Sequence, residues 1–197
     1  MDGTEKQSIK EERVRSYFIE ATKDIIMREG VESVTVRKVS DLAGYSYATI
    51  YNYFTDLNAL FLETKLVMVR DMVKFMSSVQ GGKIKGVDEI KRLNRIYAGY
   101  YLKHPHVFRF FYSYRLTEEP KATPQYFDYS ARWRDIYQGF VANGTIRKAD
   151  VGLVAKTIIY SLHGLLALFF SDNGLTQEAL FDDLDQLTEY LLKRRDE

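Results

Sequence analysis

The chain has 197 residues, 46% of them hydrophobic and 28% charged, which is the balance of an ordinary soluble globule with room for one large domain or two small ones. It contains no cysteine, which excludes disulfides and cysteine-ligated zinc and fits a reducing cytoplasm. A net charge of +1 announces no class of partner, and only three prolines interrupt what can be long helices.

The polar opening MDGTEKQSIKEER excludes a signal peptide. The spacing of Val14, Phe18, Ala21 and Ile25 predicts a first helix over about Ser8–Glu29, with Gly30 as a left-handed C-cap. Thr35 reads as the N-cap of a short helix ending near Ala43, and Gly44 as a tight turn. Ser46 reads as the cap of a second short helix through Phe54, and Asp56 as the cap of a long one through about Val79.

Gly81, Gly82 and Gly86 mark a loop before a helix over Val87–Lys103, which Pro105 stops. An aromatic helix over His106–Leu116 follows, then a loop over Thr117–Pro124 with Pro120 and Pro124. Further helices are expected over Gln125–Asn143, Ala149–Ser171 and from a Thr176 cap to about Lys193. The uncharged stretch Thr157–Ser171 falls short of the roughly 20 apolar residues that span a bilayer and reads as a helix buried in protein. No alternation long enough for a strand is present, and the fold class is all-α.

Thr35–Leu60, TVRKVSDLAGYSYATIYNYFTDLNAL, carries the function. Two short helices joined by a glycine-containing turn form a helix-turn-helix pattern over about residues 35–54. Val36, Val39, Leu42 and Ala43 give the first helix an inner face, against which Ala48, Ile50 and Phe54 can pack. Ser46, Tyr47, Ala48 and Thr49 open the second helix, where a recognition helix meets base edges. Bulk charge does not support this reading, because the first sixty residues hold eight Lys/Arg against ten Asp/Glu. A few well-placed donors must do the work.

The run formed by Thr35, Arg37, Val39, Ser40, Ala43, Gly44, Ser46, Thr49, Ile50, Tyr51, Tyr53 and Phe54 closely resembles the TetR family of transcription regulators. The resemblance covers about Glu11–Met72. It implies a three-helix DNA-binding domain at 1–55 and a helical ligand-sensing and dimerisation domain at 56–197, with about nine helices in all. It also implies that Arg37 and Tyr51 reach backbone phosphates, with Tyr53 a further candidate, and that Tyr47, Ala48, Thr49 and Asn52 face bases or nearby phosphates. Two positions depart from the family pattern. Leu57 stands where a phosphate-contacting Lys is usual, and Tyr45 where a small aliphatic residue is usual.

Aromatic residues crowd 97–140 and suit the lining of a pocket for a small apolar or aromatic ligand. Tyr97, Tyr101, Phe108, Tyr112, Trp133, Tyr137 and His163 are the candidate ligand contacts, although for any one of them a place in a helical core is the favoured reading. His104 and His106 read as surface or capping residues, since nothing supplies further metal ligands at helical spacing. Leu162, Leu166 and Phe169, with Leu180, Leu184, Leu187 and Leu191, form apolar faces on the last two helices. The family resemblance makes these a homodimer interface, which would set two recognition helices on a palindromic double-stranded operator.

No nucleophile elbow, P-loop, dinucleotide fingerprint or metal cluster is present, so neither an enzyme nor a bound cofactor is expected. Two alternatives stay open: a helical protein-interaction module, and a helix-turn-helix regulator with no small-molecule ligand.

Overall fold

A computed structural model describes residues 3–82, 84, 86–116 and 130–193. It is all-α, with no strand among the described residues. The α-helices are α1 (Gly3–Glu29), α2 (Val36–Ala43), α3 (Leu57–Gln80), α4 (Val87–Lys103), α5 (Pro105–Tyr112), α6 (Ser130–Ala142), α7 (Val151–Phe170) and α8 (Gln177–Leu192). Short 3-10 turns lie at Val31–Ser33, Thr49–Asn52 and Lys148–Asp150. The expected loop at Thr117–Pro124 and the first residues of the helix expected from Gln125 lie outside the described residues. The chain forms two compact units, one from Met1–Val73 with His104–Pro124, the other from Lys74–Lys103 with Gln125–Glu197. Helix α3 therefore starts in the first and ends in the second.

In the first unit, Val14, Phe18, Ala21 and Ile25 of α1 are all buried, as their spacing requires. Gly30 departs from expectation. Its φ is +91° and its ψ 162°, so the chain leaves α1 through an extended turn that only glycine adopts freely, not through a left-handed helical cap. A Cβ here would lie 3.1 Å from both Glu32 Oε2 and His106 Nδ1. His106 thus packs over the end of α1 and is half-buried, not a surface residue. His104 caps α5 through its carbonyl, which accepts from the Val107 N–H at 3.0 Å, with Pro105 in the first turn where its missing N–H costs nothing.

In the second unit, Ile84, Ile90, Leu93, Tyr137, Phe140, Ile146, Val151, Ala155, Ile158 and Leu192 form one core cluster. Helices α4 and α8 are also joined by polar links. Asn94 Nδ2 donates to Thr188 Oγ1 at 3.1 Å, Lys91 pairs with Glu189 at 2.7 Å, and Arg95 pairs with Asp185 at 2.8 Å. The ion pairs are solvent-facing on at least one side and so add little to stability.

The leucine seam expected to face a partner subunit is largely spent inside the chain. Leu162, Leu166, Leu180 and Leu184 are buried within it, and α7 and α8 pack on each other and on α4. Phe169, Leu187 and Leu191 are half-buried. The apolar side chains left exposed on α7 are others: Leu153, Tyr160 and Leu168, at 68%, 65% and 49%. The stretch Lys148–Phe170 is long and apolar enough to cross a membrane by length and composition, and 22% of its apolar window is buried. Within the single chain, one face of this helix is buried and one is bare.

Candidate nucleic-acid interface

Local rules set the first half of the site. Thr35 is extended, and its Oγ1 accepts from the Lys38 N–H at 3.2 Å, which starts α2. Gly44 adopts φ 76° and ψ 29°, and the Tyr45 N–H reaches back to the Ser40 carbonyl at 3.0 Å, which ends α2 and turns the chain. Val39 and Ser40 are buried on the inner face, but Leu42 is 53% exposed and leaves the face assigned to it. Eight residues make little more than two turns, and Leu42 falls on the outward side of the second.

The second element is tighter than expected. Instead of an α-helix over 46–54, a turn at Tyr47–Ala48 leads into a 3-10 segment, Thr49–Asn52. The bonds at its ends include Thr49 N–H to Ser46 O at 2.9 Å and Tyr53 N–H to Ile50 O at 3.0 Å, with a helical bond from Phe54 N–H to Ile50 O at 3.0 Å. A stretch this short forms few four-residue bonds before its ends tighten. Ser46 is no side-chain cap: its hydroxyl lies 2.7 Å from the Thr49 hydroxyl and pairs with that. Ile50 and Phe54 are buried as expected, whereas Ala48 is exposed and does not pack against α2.

The outer surface of this segment carries the expected donors. Arg37, Ser46, Tyr47, Ala48, Tyr51 and Asn52 are exposed, and Thr49 and Tyr53 are half-buried. Tyr47 and Tyr51 meet edge to face, with ring centroids 5.5 Å apart and hydroxyls 3.0 Å apart. That bond to Tyr47 holds the Tyr51 hydroxyl above its ordinary pKa. Tyr53 lays its ring 5.9 Å from that of Phe18 and serves packing as well as surface. Tyr45 turns inward, 5.3 Å from Phe18 and 6.2 Å from Tyr17, so the bulky residue after the turn glycine packs on α1. Leu57 is half-buried at the start of α3, behind the Asp56 carboxylate that caps it by accepting from the Ala59 N–H at 2.8 Å. Arg15 of α1 also reaches the end of the segment. No spacing rule in the sequence links residues 15, 53 and 63, so its role could not be read there.

The aromatic ligand candidates divide among three places. Tyr97, Tyr101 and His163 come together in the second unit. The Tyr97 hydroxyl is 3.0 Å from His163 Nε2 and 3.4 Å from the Tyr101 hydroxyl. Burial pushes His163 down to about 4, so its imidazole is neutral near pH 7. Tyr137 sits instead in the core with Phe140 and Ile146, and burial raises its hydroxyl well above the ordinary value. Phe108 and Tyr112 belong to the first unit, the one buried and the other 44% exposed, with ring centroids 5.0 Å apart. The Trp133 side chain lies outside the described residues. An open depression of about 460 Å³ lies elsewhere in the second unit, lined by Asp88, Lys91, Arg92, Arg95, Ile96 and Asp185. Its charged walls do not suit an apolar ligand.

Residues 18–64 match the sequence model of the family described as bacterial regulatory proteins, tetR family. The fold is similar to that of RolR, solved in complex with resorcinol, at 15% identity and TM-score 0.66, covering 95% of this chain and 97% of that one. It is equally similar to the transcriptional regulator FadR from Bacillus subtilis in complex with stearoyl-CoA, at 16% identity and TM-score 0.66, covering 91% and 98%. A TetR family transcription regulator from Marinobacter aquaeolei VT8 is 20% identical with a TM-score of 0.63, covering 96% and 100%. At such identities these likenesses establish the fold. No protein of curated function matches the sequence.

Proposed function

Because residues 18–64 match the model of the tetR family of bacterial regulatory proteins, we propose that the chain binds a palindromic operator as a homodimer and releases it when a small apolar or aromatic molecule binds. One observation carries the DNA half. The segment around Thr49–Asn52 is anchored by buried Ile50 and Phe54 while Arg37, Tyr47, Tyr51 and Asn52 stand exposed beside it. Those are the donor types that contact phosphates and base edges from a recognition element. With acidic residues outnumbering basic ones in the first sixty positions, affinity rests on these placed groups. Such a regulator works in the cytoplasm, where its operator is, and has no catalytic step.

The functional division we propose is DNA binding by residues 1–55 and sensing and dimerisation by residues 56–197. Helix α3 runs through that second part and is the covalent route by which sensing reaches the first. For the sensor we favour the group Tyr97, Tyr101 and His163, which joins aromatic walls to polar tips. The resorcinol and stearoyl-CoA complexes of RolR and FadR support a small-molecule reading. A ligand acts here only by binding the DNA-free form more tightly than the DNA-bound form.

The test is binding of the purified protein to duplexes selected from a randomised pool, across a salt series. We expect one palindromic sequence to be enriched, with affinity falling as salt rises. Tyr51→Phe combined with Thr49→Ala is expected to abolish preference for that duplex while the far-ultraviolet dichroism stays helical. Equal binding of the double variant would overturn the assignment.

A further inference from the structure

Arg15 makes contacts that exceed what a surface ion pair needs. Its Nε donates to Glu63 Oε2 at 2.8 Å and its Nη2 pairs with Glu63 Oε1, so the guanidinium grips the α3 carboxylate with two nitrogens. Its third nitrogen, Nη1, donates to the Tyr53 carbonyl at 2.8 Å. Its flat face lies 4.6 Å from the centroid of the Phe54 ring. The Tyr53 carbonyl and the Phe54 ring are the last groups of the proposed recognition segment, where a short helix leaves carbonyls without partners of its own. All these groups belong to the first compact unit.

We infer that Arg15 is a positioning residue for DNA recognition, fixing the end of the recognition segment to α3 so that Tyr47, Tyr51 and Asn52 keep one register on the groove. The inference rests on the DNA-binding reading above. Only a guanidinium serves all three partners at once. Its planar fork matches the carboxylate, leaves one nitrogen for the carbonyl, and stacks on the ring. Lysine has one point charge and cannot do the three together. The 3-10 segment is only four residues long and has no side-chain cap, so a contact from outside it helps to fix its pose. Through Glu63 the same group ties that pose to α3, and a shift of α3 then reaches the base-facing residues without passing through the loop at residues 53–56.

The experiment compares the wild-type protein with R15K, R15E, E63Q and the exchange R15E/E63R. Each is measured for thermal midpoint, for affinity to the duplex that the wild type selects from a randomised pool, and for affinity to a scrambled duplex. Loss of one charge-assisted bond to the segment is expected to cost about tenfold in affinity for the selected duplex. Binding to the scrambled duplex, which relies on phosphate contacts alone, is expected to stay the same. The exchange restores an ion pair, so it should recover the thermal midpoint lost in R15E. It leaves position 15 without a donor for the Tyr53 carbonyl, so it should not recover the selected affinity. Recovery of both by the exchange, or unchanged discrimination in R15K, would overturn the inference and reduce Arg15 to a stabilising ion pair. Failure of the wild type to select any duplex would overturn the DNA-binding reading, and this inference with it.

Discussion

At the scale of single residues, hydroxyls dominate the proposed recognition surface, and two pairs of them bond to each other: Ser46 with Thr49, and Tyr47 with Tyr51. When one hydroxyl of a pair donates to the other, one O–H remains to point outward. Tyr47 and Tyr51 are therefore expected to act as one unit on DNA. Tyr47→Phe and Tyr51→Phe should each weaken operator binding, and the double variant should be little worse than the poorer single one. Strict additivity in that cycle would show two independent contacts instead. His163 offers a second residue-scale test. Its pKa in the fold is about 4, below the 6.5 it takes when exposed. The unfolded chain therefore takes up a proton that the folded chain refuses, and stability falls as pH drops from about 6.5 toward 4. Above pH 7 the group is neutral in both states and contributes no slope. Urea midpoints of the wild type and His163→Gln should run parallel above pH 7 and converge or cross below pH 6. Parallel curves across the whole range would show that His163 does not titrate in this way.

At the scale of elements, local chemistry in the chain decided where helices begin and end. Thr35, Asp56 and Thr176 each accept a bond from a first-turn N–H, at 3.2, 2.8 and 3.1 Å. These caps were legible because serine, threonine and aspartate supply an acceptor that apolar residues lack. Thr35→Ala is expected to cost about 1 kcal/mol, because α2 has only eight residues to spread the loss over. Chemical denaturation measures this, and a change below a few tenths would argue that tertiary packing alone holds α2. What the sequence misassigned was the nature of the second short element. The apolar pattern Ile50–Phe54 is right for one helical turn, and both side chains are buried. Pattern alone cannot tell three-residue from four-residue hydrogen bonds over so few positions. Gly30 shows the same limit. The need for a positive φ was visible, but ψ and the approach of His106 came from how α5 packs against the end of α1.

At the scale of the whole molecule, the proposed dimer calls for an apolar face, and α7 and α8 differ in what they leave bare. Leucines at helical spacing on α8 were the natural interface from sequence, yet Leu180 and Leu184 have no exposed surface left in the single chain. The bare face of α7, with Leu153, Tyr160 and Leu168, is what a second copy could cover. Leu168→Glu is expected to shift the protein from dimer to monomer in light scattering, with little change in helicity. Leu184→Ala should leave assembly intact and instead lower stability by about 2–5 kcal/mol, the range for a buried leucine truncated in place. The reverse pattern would return the interface to the leucine seam.

The sequence by itself determined the all-α class, most helix limits, the caps at Thr35, Asp56 and Thr176, the Gly44 turn and the exposed donors from Arg37 to Asn52. Each depends on a residue's own chemistry or on neighbours within about four positions. Only the tertiary structure decided which apolar residues each helix spends internally, that Tyr45 packs inward on Phe18, that Tyr97 and Tyr101 meet His163 while Tyr137 does not join them, and that Arg15 joins Tyr53 to Glu63. Those outcomes pair residues separated by tens of positions. A periodic pattern shows that a face is apolar, but what covers that face depends on which other segments the fold brings to it.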